Sequence, residues 1–386
     1  MPDHAEGYGA RCLESARRLA CRFAETAGDH DRSGVLPRSN FAHLFDAGLL
    51  SLTVAPRYGG PGAGLELARE IVGIIAGGDP STALILAMQY SQYAQMAHGA
   101  PWPAALAEQL GRAALDGLSL INSAQVEPEL GSPSHGGVPK TVARRVDGGW
   151  RLSGRKIYVT GIPLLDRVNV VAVTDDPEPL VGYFIVPARA PGITIIETWD
   201  AIGMRATGSH DMLLDNVQIP AGNGFGFAPA AGGLVRDGVV TAWFLTLVAS
   251  VYNGAARAAR NWLVEFLKTR TPSNLGQPLA TLPLVQDKVG EIEVLLRASD
   301  RLLRNFAAEV DRGIADLGAA LPVKHEVIQN ALDVTLLALD LAGNHGTSRL
   351  HPLERHHRDV LCGRIHSPQN ALIRGTLGRR ALGVGA

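Results

Sequence analysis

Apolar residues recur at spacings of three and four through the first third of the chain, and that period predicts helices. Residues 11–27 keep this spacing, and residues 38–50 place Phe41, Leu44, Phe45 and Leu49 on one face. Tyr58-Gly59-Gly60-Pro61-Gly62 predicts a turn. A further helix is expected over 64–77. Another starts at Asp79-Pro80-Ser81, where Asp79 can cap and Pro80 suits the first turn. The period then shortens. Asp147-Gly148-Gly149 predicts a hairpin turn before Trp150-Arg151-Leu152-Ser153. Runs at 156–160, 168–174, 181–186, 193–197 and 212–219 predict the strands of a compact β domain. From about 233 the helical spacing returns. Residues 238–269, 283–311, 322–342 and 368–382 predict an antiparallel bundle, interrupted between 343 and 358 by Gly343, Gly346 and Pro352. The order is therefore an N-terminal α-helical domain (1–117), a central β domain (118–230) and a C-terminal helical bundle (231–386).

Composition narrows the function. With 386 residues, 46% of them hydrophobic, the chain can bury a large core. Lys plus Arg number 36 against 37 Asp plus Glu. That balance gives no footprint for nucleic acid or a membrane surface, so a small-molecule substrate is expected. Cys12, Cys21 and Cys362 fit neither a disulfide framework nor a zinc site, and a reducing compartment suits them. Residues 1–30 lack a signal-type apolar stretch, and no run of about 18 apolar residues appears. A cytoplasmic location is the expectation. His345, His351, His356, His357 and His366 crowd one region, but their spacing fits no standard metal motif and no metal is expected. Gly-x-Gly-x-x-Gly after a strand, the nicotinamide fingerprint, is absent.

Local motifs go further. Gly48-Leu49-Leu50 precedes Pro56-Arg57-Tyr58-Gly59-Gly60; Glu127-Pro128-Glu129-Leu130-Gly131-Ser132 opens the β region. Gly154-Arg155-Lys156-Ile157-Tyr158-Val159-Thr160-Gly161 follows, then Gly203-Met204-Arg205-Ala206-Thr207 with Val217 and Pro220. Pro352-Leu353-Glu354-Arg355 precedes Arg358-Asp359. In this order they resemble the acyl-CoA dehydrogenase superfamily over nearly the whole chain. The resemblance implies that family's α-β-α fold and a flavin. It also implies a homodimer or homotetramer formed through the bundle, with Gly343-Asn344-His345-Gly346 standing where a neighbouring subunit's flavin would be received.

A flavin ring needs a few aimed donors within an apolar wall. The resemblance assigns that work to the first β-domain segments. There the Thr160 hydroxyl would reach the ring and Tyr158 would cover it, while Ser132 would meet a pyrophosphate that Gly131 lets approach. Val126 stands where the family has a threonine, with Ser123 as a possible substitute. Pro272-Ser273-Asn274 stands where the family has an arginine for the FAD diphosphate, and Arg270 lies two residues earlier. FAD is the first expectation and FMN the alternative. Gln369 is grouped with the flavin contacts.

The family's catalytic glutamate would fall at Ser367, in Ile365-His366-Ser367-Pro368-Gln369. The position that carries the base in other relatives aligns with Phe244. Neither is a carboxylate, and α,β-dehydrogenation of an acyl thioester needs a tuned base for the α-proton. A monooxygenase branch of the superfamily uses reduced flavin and oxygen and needs no such base. It needs a water-poor pocket with one or two donors. His366 and Asn122 are the candidates for that role, with Tyr90, Tyr93 and Phe244 lining the substrate pocket. A separate flavin reductase would supply the electrons. Two other readings stay open: a dehydrogenase with a displaced base, and a non-catalytic family member.

Overall fold

A computed structural model describes residues 2–99, 102–130, 137–232 and 237–384. The N-terminal part holds α1 (Pro2–Ser33), α2 (Arg38–Asp46), α3 (Leu65–Gly78), α4 (Pro80–His98) and α5 (Ala104–Asp116). The helix expected over 38–50 ends at Asp46. Gly48 turns the chain with φ 69°, and the Leu49 amide folds back onto the Leu44 carbonyl. Asp79 caps α4 as its position implies, accepting from the Ser81 amide at 3.0 Å and the Thr82 hydroxyl at 2.7 Å. Every residue of α4 from Pro80 to Met96 is buried, so this helix is the centre of the N-terminal part. Helix α5 is an addition to the helices predicted from spacing, although its buried Leu106, Ala107, Leu110, Gly111 and Ala114 keep the helical period.

The middle is one mixed sheet in the order β6-β7-β3-β2-β4-β5-β8, with β1 parallel to β4. Strands β2 (Val142–Val146) and β3 (Gly149–Lys156) form the expected hairpin, with Val146 opposite Gly149 and Gly148 at φ 74°. β1 (Ile121–Ala124), β4 (Arg167–Thr174), β5 (Leu180–Pro187), β6 (Ile193–Ile196), β7 (Asp211–Pro220) and β8 (Gly224–Pro229) complete it. The strand expected at 156–160 is not formed. β3 stops at Lys156, and Tyr158 (φ 57°) and Gly161 (φ 80°) take left-handed backbone that no strand accommodates. The turn that replaces it is closed by Val159 N to His210 O and Gly161 N to Thr207 O.

The bundle comprises α6 (Gly238–Thr269), α7 (Pro283–Asp311), α8 (Ala320–Ala342), α9 (Leu353–Leu361) and α10 (Asn370–Leu382). The expected interruption at 343–358 contains the start of α9. Its sequence is rich in His and Arg, yet it buries Leu353, Arg355, His356, Asp359 and Val360 along one side. Helix α6 is long and apolar enough to cross a membrane, contrary to the expectation of no such run. Its apolar surface is instead consumed inside the protein, against α3, α4 and α8.

Candidate active site

The turn after β3 gathers the groups the sequence singled out. Thr160 is half-buried there, and its hydroxyl oxygen accepts from Ser209 Oγ at 3.0 Å. Ser209 in turn lies 2.7 Å from Thr207 Oγ1. With Ser209 donating to it, Thr160 keeps its own proton for an outside acceptor. Tyr158 is 60% exposed and meets Trp199 edge-to-face at 6.2 Å, while Trp199 is pinned by Nε1 to the Met204 carbonyl. An open aromatic wall beside a hydroxyl with a spare proton fits the edge and face of a flavin ring. Gly161 lets the turn sit against α4, because a Cβ there would come within 3.3 Å of Ile85.

Asn122 does a different job from the one expected. Its amide donates to the Thr160 carbonyl at 3.0 Å, and its Oδ1 takes the Ser123 amide at 2.6 Å. With both ends of this buried side chain engaged, Asn122 holds the Thr160 turn, and its amide keeps a second N–H. Ser123 is likewise engaged, donating to the Asn169 carbonyl and accepting from Gln125. That argues against its replacing the family's threonine. Val126 contributes its carbonyl, which takes the Ile157 amide at 3.0 Å and so ties the Glu-Pro segment to the Thr160 turn. Gly131 and Ser132 lie outside the described residues.

Two motif residues that sequence reasoning passed over make this frame rigid. Lys156 and Glu127 form a fully buried ion pair at 2.6 Å. Glu127 also takes the Lys140 amide and the Thr141 amide and hydroxyl, and Lys156 donates to the Val171 carbonyl. Burial pulls the Lys156 ammonium down to about 8 against the pull of Glu127. The Glu-Pro and Gly-x-Lys motifs are therefore bonded to each other. Their spacing, 29 residues apart on a loop and a strand, was the only available signal. Helix α4 is fastened to the same sheet by Asn169, whose amide donates to both Gln92 and Gln95.

His366 sits in the turn between α9 and α10, half-buried. Its Nδ1 is 3.1 Å from the Tyr252 hydroxyl, and Phe244 meets its ring edge-to-face at 5.8 Å. Burial, and then the Lys324 ammonium, hold the imidazole well below its usual range, so it is neutral near pH 7. The structure thus brings Phe244 and His366 together. Ser367 is the next residue, followed by a cis peptide to Pro368. Tyr252, Phe244 and Lys324, which hold His366, carry no carboxylate. The acid nearest in sequence, Asp359, is buried and bonded to the Met204 amide at 2.6 Å.

Tyr90 and Tyr93 are buried in the core, where their hydroxyls donate to the carbonyls of Leu49 and Leu110. Each aromatic satisfied its polar tip there, as a buried tyrosine must. Arg270 is the exposed C-cap of α6, and Gln369 is the exposed N-cap of α10 without a side-chain cap bond. Among the described residues the histidines do not gather into one cluster, although the rings of His345 and His351 lie 5.9 Å apart. His345 and His351 pack on Phe266 and Trp262, His357 meets Thr335, and His356 is buried.

Comparison with known proteins agrees with this architecture. The chain matches models of the acyl-CoA dehydrogenase N-terminal domain over residues 11–101, middle domain over 124–217 and C-terminal domain over 246–382. It is 33% identical over 362 residues to the putative acyl-CoA dehydrogenase YdbM of Bacillus subtilis, covering 92% of each chain. It is 30% identical to an L-evernosamine nitrososynthase of a Micromonospora species, over 90% of this chain and 84% of that one. Among solved structures, KijD3 in complex with FMN and a dTDP-linked amino keto sugar superposes with a TM-score of 0.85 at 28% identity, covering 98% and 94%. The chain belongs to the acyl-CoA dehydrogenase family, whose members are flavin-dependent oxidoreductases.

Proposed function

We propose that this chain is a flavin-dependent monooxygenase that oxidises a small molecule. The observation that carries the reading is the segment His366-Ser367-Pro368. Where α-proton abstraction needs a carboxylate, it offers a neutral imidazole held by Tyr252, Phe244 and Lys324. Bound reduced flavin would supply the two electrons that split O2, one atom entering the substrate and the other leaving as water. The protein's part is to hold the ring through Thr160, Tyr158 and Trp199, and to present His366 as a donor while water is kept from the reacting oxygen. Likeness to an amino-sugar nitrososynthase supports nitrogen as the atom oxidised.

Thr160 and Tyr158 would grip the ring end that FMN and FAD share. Pro272-Ser273-Asn274 offers no cation to a diphosphate, which favours FMN over FAD. Exposed Leu284, Val294 and Leu336 on α7 and α8 support assembly as a homo-oligomer. Free Cys12, Cys21 and Cys362 suit a reducing cytoplasm, and a separate reductase would recharge the flavin. The test is anaerobic mixing of the flavin-loaded protein with acyl-CoA thioesters of several chain lengths, followed by absorbance. No bleaching is expected, because general-base help worth roughly 10²–10⁴-fold is missing. Rapid bleaching by any thioester would replace this reading with a dehydrogenase whose base has moved.

A further inference from the structure

The turn that carries His366 is held by two residues with no part in the motifs. Lys324, on α8, is fully buried and serves the main chain. Its ammonium donates to the carbonyls of His366 at 2.9 Å, Pro368 at 2.8 Å and Gly363 at 3.4 Å, and to Asn370 Oδ1 at 3.3 Å. Tyr252, on α6, serves the ring. It is buried beneath the same turn, so closely that a Cβ on Gly363 would come within 3.0 Å of its ring. Its hydroxyl lies 3.1 Å from His366 Nδ1.

A neutral imidazole has one N–H and one bare nitrogen, so this contact has a direction. If Nδ1 carried the proton, Tyr252 would be the acceptor and its own hydroxyl proton would be buried with nothing to receive it. Among the described residues the Tyr252 hydroxyl reaches no other acceptor. If Nδ1 is bare, Tyr252 donates to it and both groups are satisfied. Burial raises the phenol well above its usual range, which keeps it protonated.

We propose that Tyr252 is a positioning residue that holds His366 in the tautomer with its proton on Nε2, so that the N–H faces away from Tyr252 towards the reacting oxygen. This rests on the monooxygenase reading, in which His366 touches that oxygen. A fixed neutral donor stabilises negative charge developing on oxygen without surrendering a full proton. A misdirected one would let oxygen escape as hydrogen peroxide.

The experiment uses the full chain labelled with 15N-histidine, without flavin, and the His366→Ala variant to assign the signal by difference. Nitrogen NMR of the wild type should show His366 with Nδ1 bare and Nε2 protonated. Tyr252→Phe keeps the ring volume and removes the donor, and should give a mixture of tautomers. With reduced flavin and oxygen it should also release hydrogen peroxide about tenfold faster, as expected for one lost hydrogen bond, at unchanged flavin affinity. A wild-type signal protonated on Nδ1 overturns the proposal even if Tyr252→Phe does not fold. An unchanged tautomer in Tyr252→Phe overturns it while leaving the monooxygenase reading intact. If His366→Ala itself leaves the rate of peroxide release unchanged, the role of His366 falls, and that of Tyr252 with it.

Discussion

The backbone amide of Met204 donates to Asp359 Oδ1 at 2.6 Å, across 155 residues of sequence. The bond joins Gly203-Met204-Arg205 of the β domain to Arg358-Asp359 of the bundle. Gly203 permits it, because a Cβ there would lie 2.1 Å from the Arg358 carbonyl oxygen. Arg358 extends the clamp to α1 by pairing with Asp31, and Glu354 steadies it from its own helix α9. These motif residues therefore hold the three parts of the chain in register, and with them the Thr160 turn and the His366 turn.

Asp359→Ala should lower stability by about 1–3 kcal/mol, since a buried amide loses its acceptor. Asp359→Asn keeps an oxygen for Met204 and should lose less. Burial pushes the Asp359 carboxyl up to about 7, which disfavours its charged form and leaves the Met204 amide bond as the contact tested. Urea unfolding of the three proteins at pH 7 measures this. Equal losses in both variants would show that the amide bond is not the source.

The Glu127–Lys156 pair makes a second prediction. Lys156→Met leaves a buried carboxylate without its counter-charge and should cost about 3–5 kcal/mol. Adding Glu127→Gln should recover part of that loss, because the amide needs no cation. A double variant no more stable than Lys156→Met would rule out charge desolvation as the cause.

Much of this was legible in the residues, and the misses have causes. The motifs gave the family and the three-part order, and spacing gave most helices to within a few residues. Thr160 and His366 stood out because they lie at or beside motif positions. The strand expected at 156–160 failed because Ile157, Tyr158 and Val159 have strand-like composition, whereas the left-handed Tyr158 is imposed by tertiary hydrogen bonds to Thr207 and His210. Tyr90 and Tyr93 looked like pocket walls because a helical stripe does not reveal which side faces a cavity. Tyr252 and Lys324 were invisible. Each acts on a turn 114 or 42 residues away, and no local pattern marks a contact of that range.

Ser209 should matter for flavin although no motif points to it. It is the donor that occupies Thr160 Oγ1 and leaves the Thr160 proton free to point outward. Thr160→Val should weaken flavin binding by roughly 1–3 kcal/mol, the cost of an unmet buried acceptor. Ser209→Ala should weaken it by a smaller amount in the same direction. Fluorescence titration with FMN and FAD reads both. Undiminished affinity in Thr160→Val would remove Thr160 from the flavin site.

Lys324 gives the last prediction, and its sign follows from burial alone. Among the described residues its ammonium touches three carbonyls and an amide oxygen but no carboxylate, and burial pushes it down from 10.5 to about 7. Between those values the unfolded chain holds a proton that the folded chain has shed. Unfolding then takes up a proton, so stability rises with pH across that window, by an amount on the order of a few kcal/mol. Below about 7 the cost of burying the charged ammonium is carried in full. Lys324→Met removes the titrating group. The variant should be less stable overall, because the carbonyls of His366 and Pro368 lose their donor. The rise from pH 7 to 10, taken as wild type minus variant, is the readout that isolates the ammonium from that loss. Urea unfolding at pH 7, 8, 9 and 10 supplies it. A difference that stays flat or falls across the series would mean that Lys324 keeps its ordinary proton affinity in the folded chain, and that neighbouring oxygens stabilise its charge well enough to offset burial.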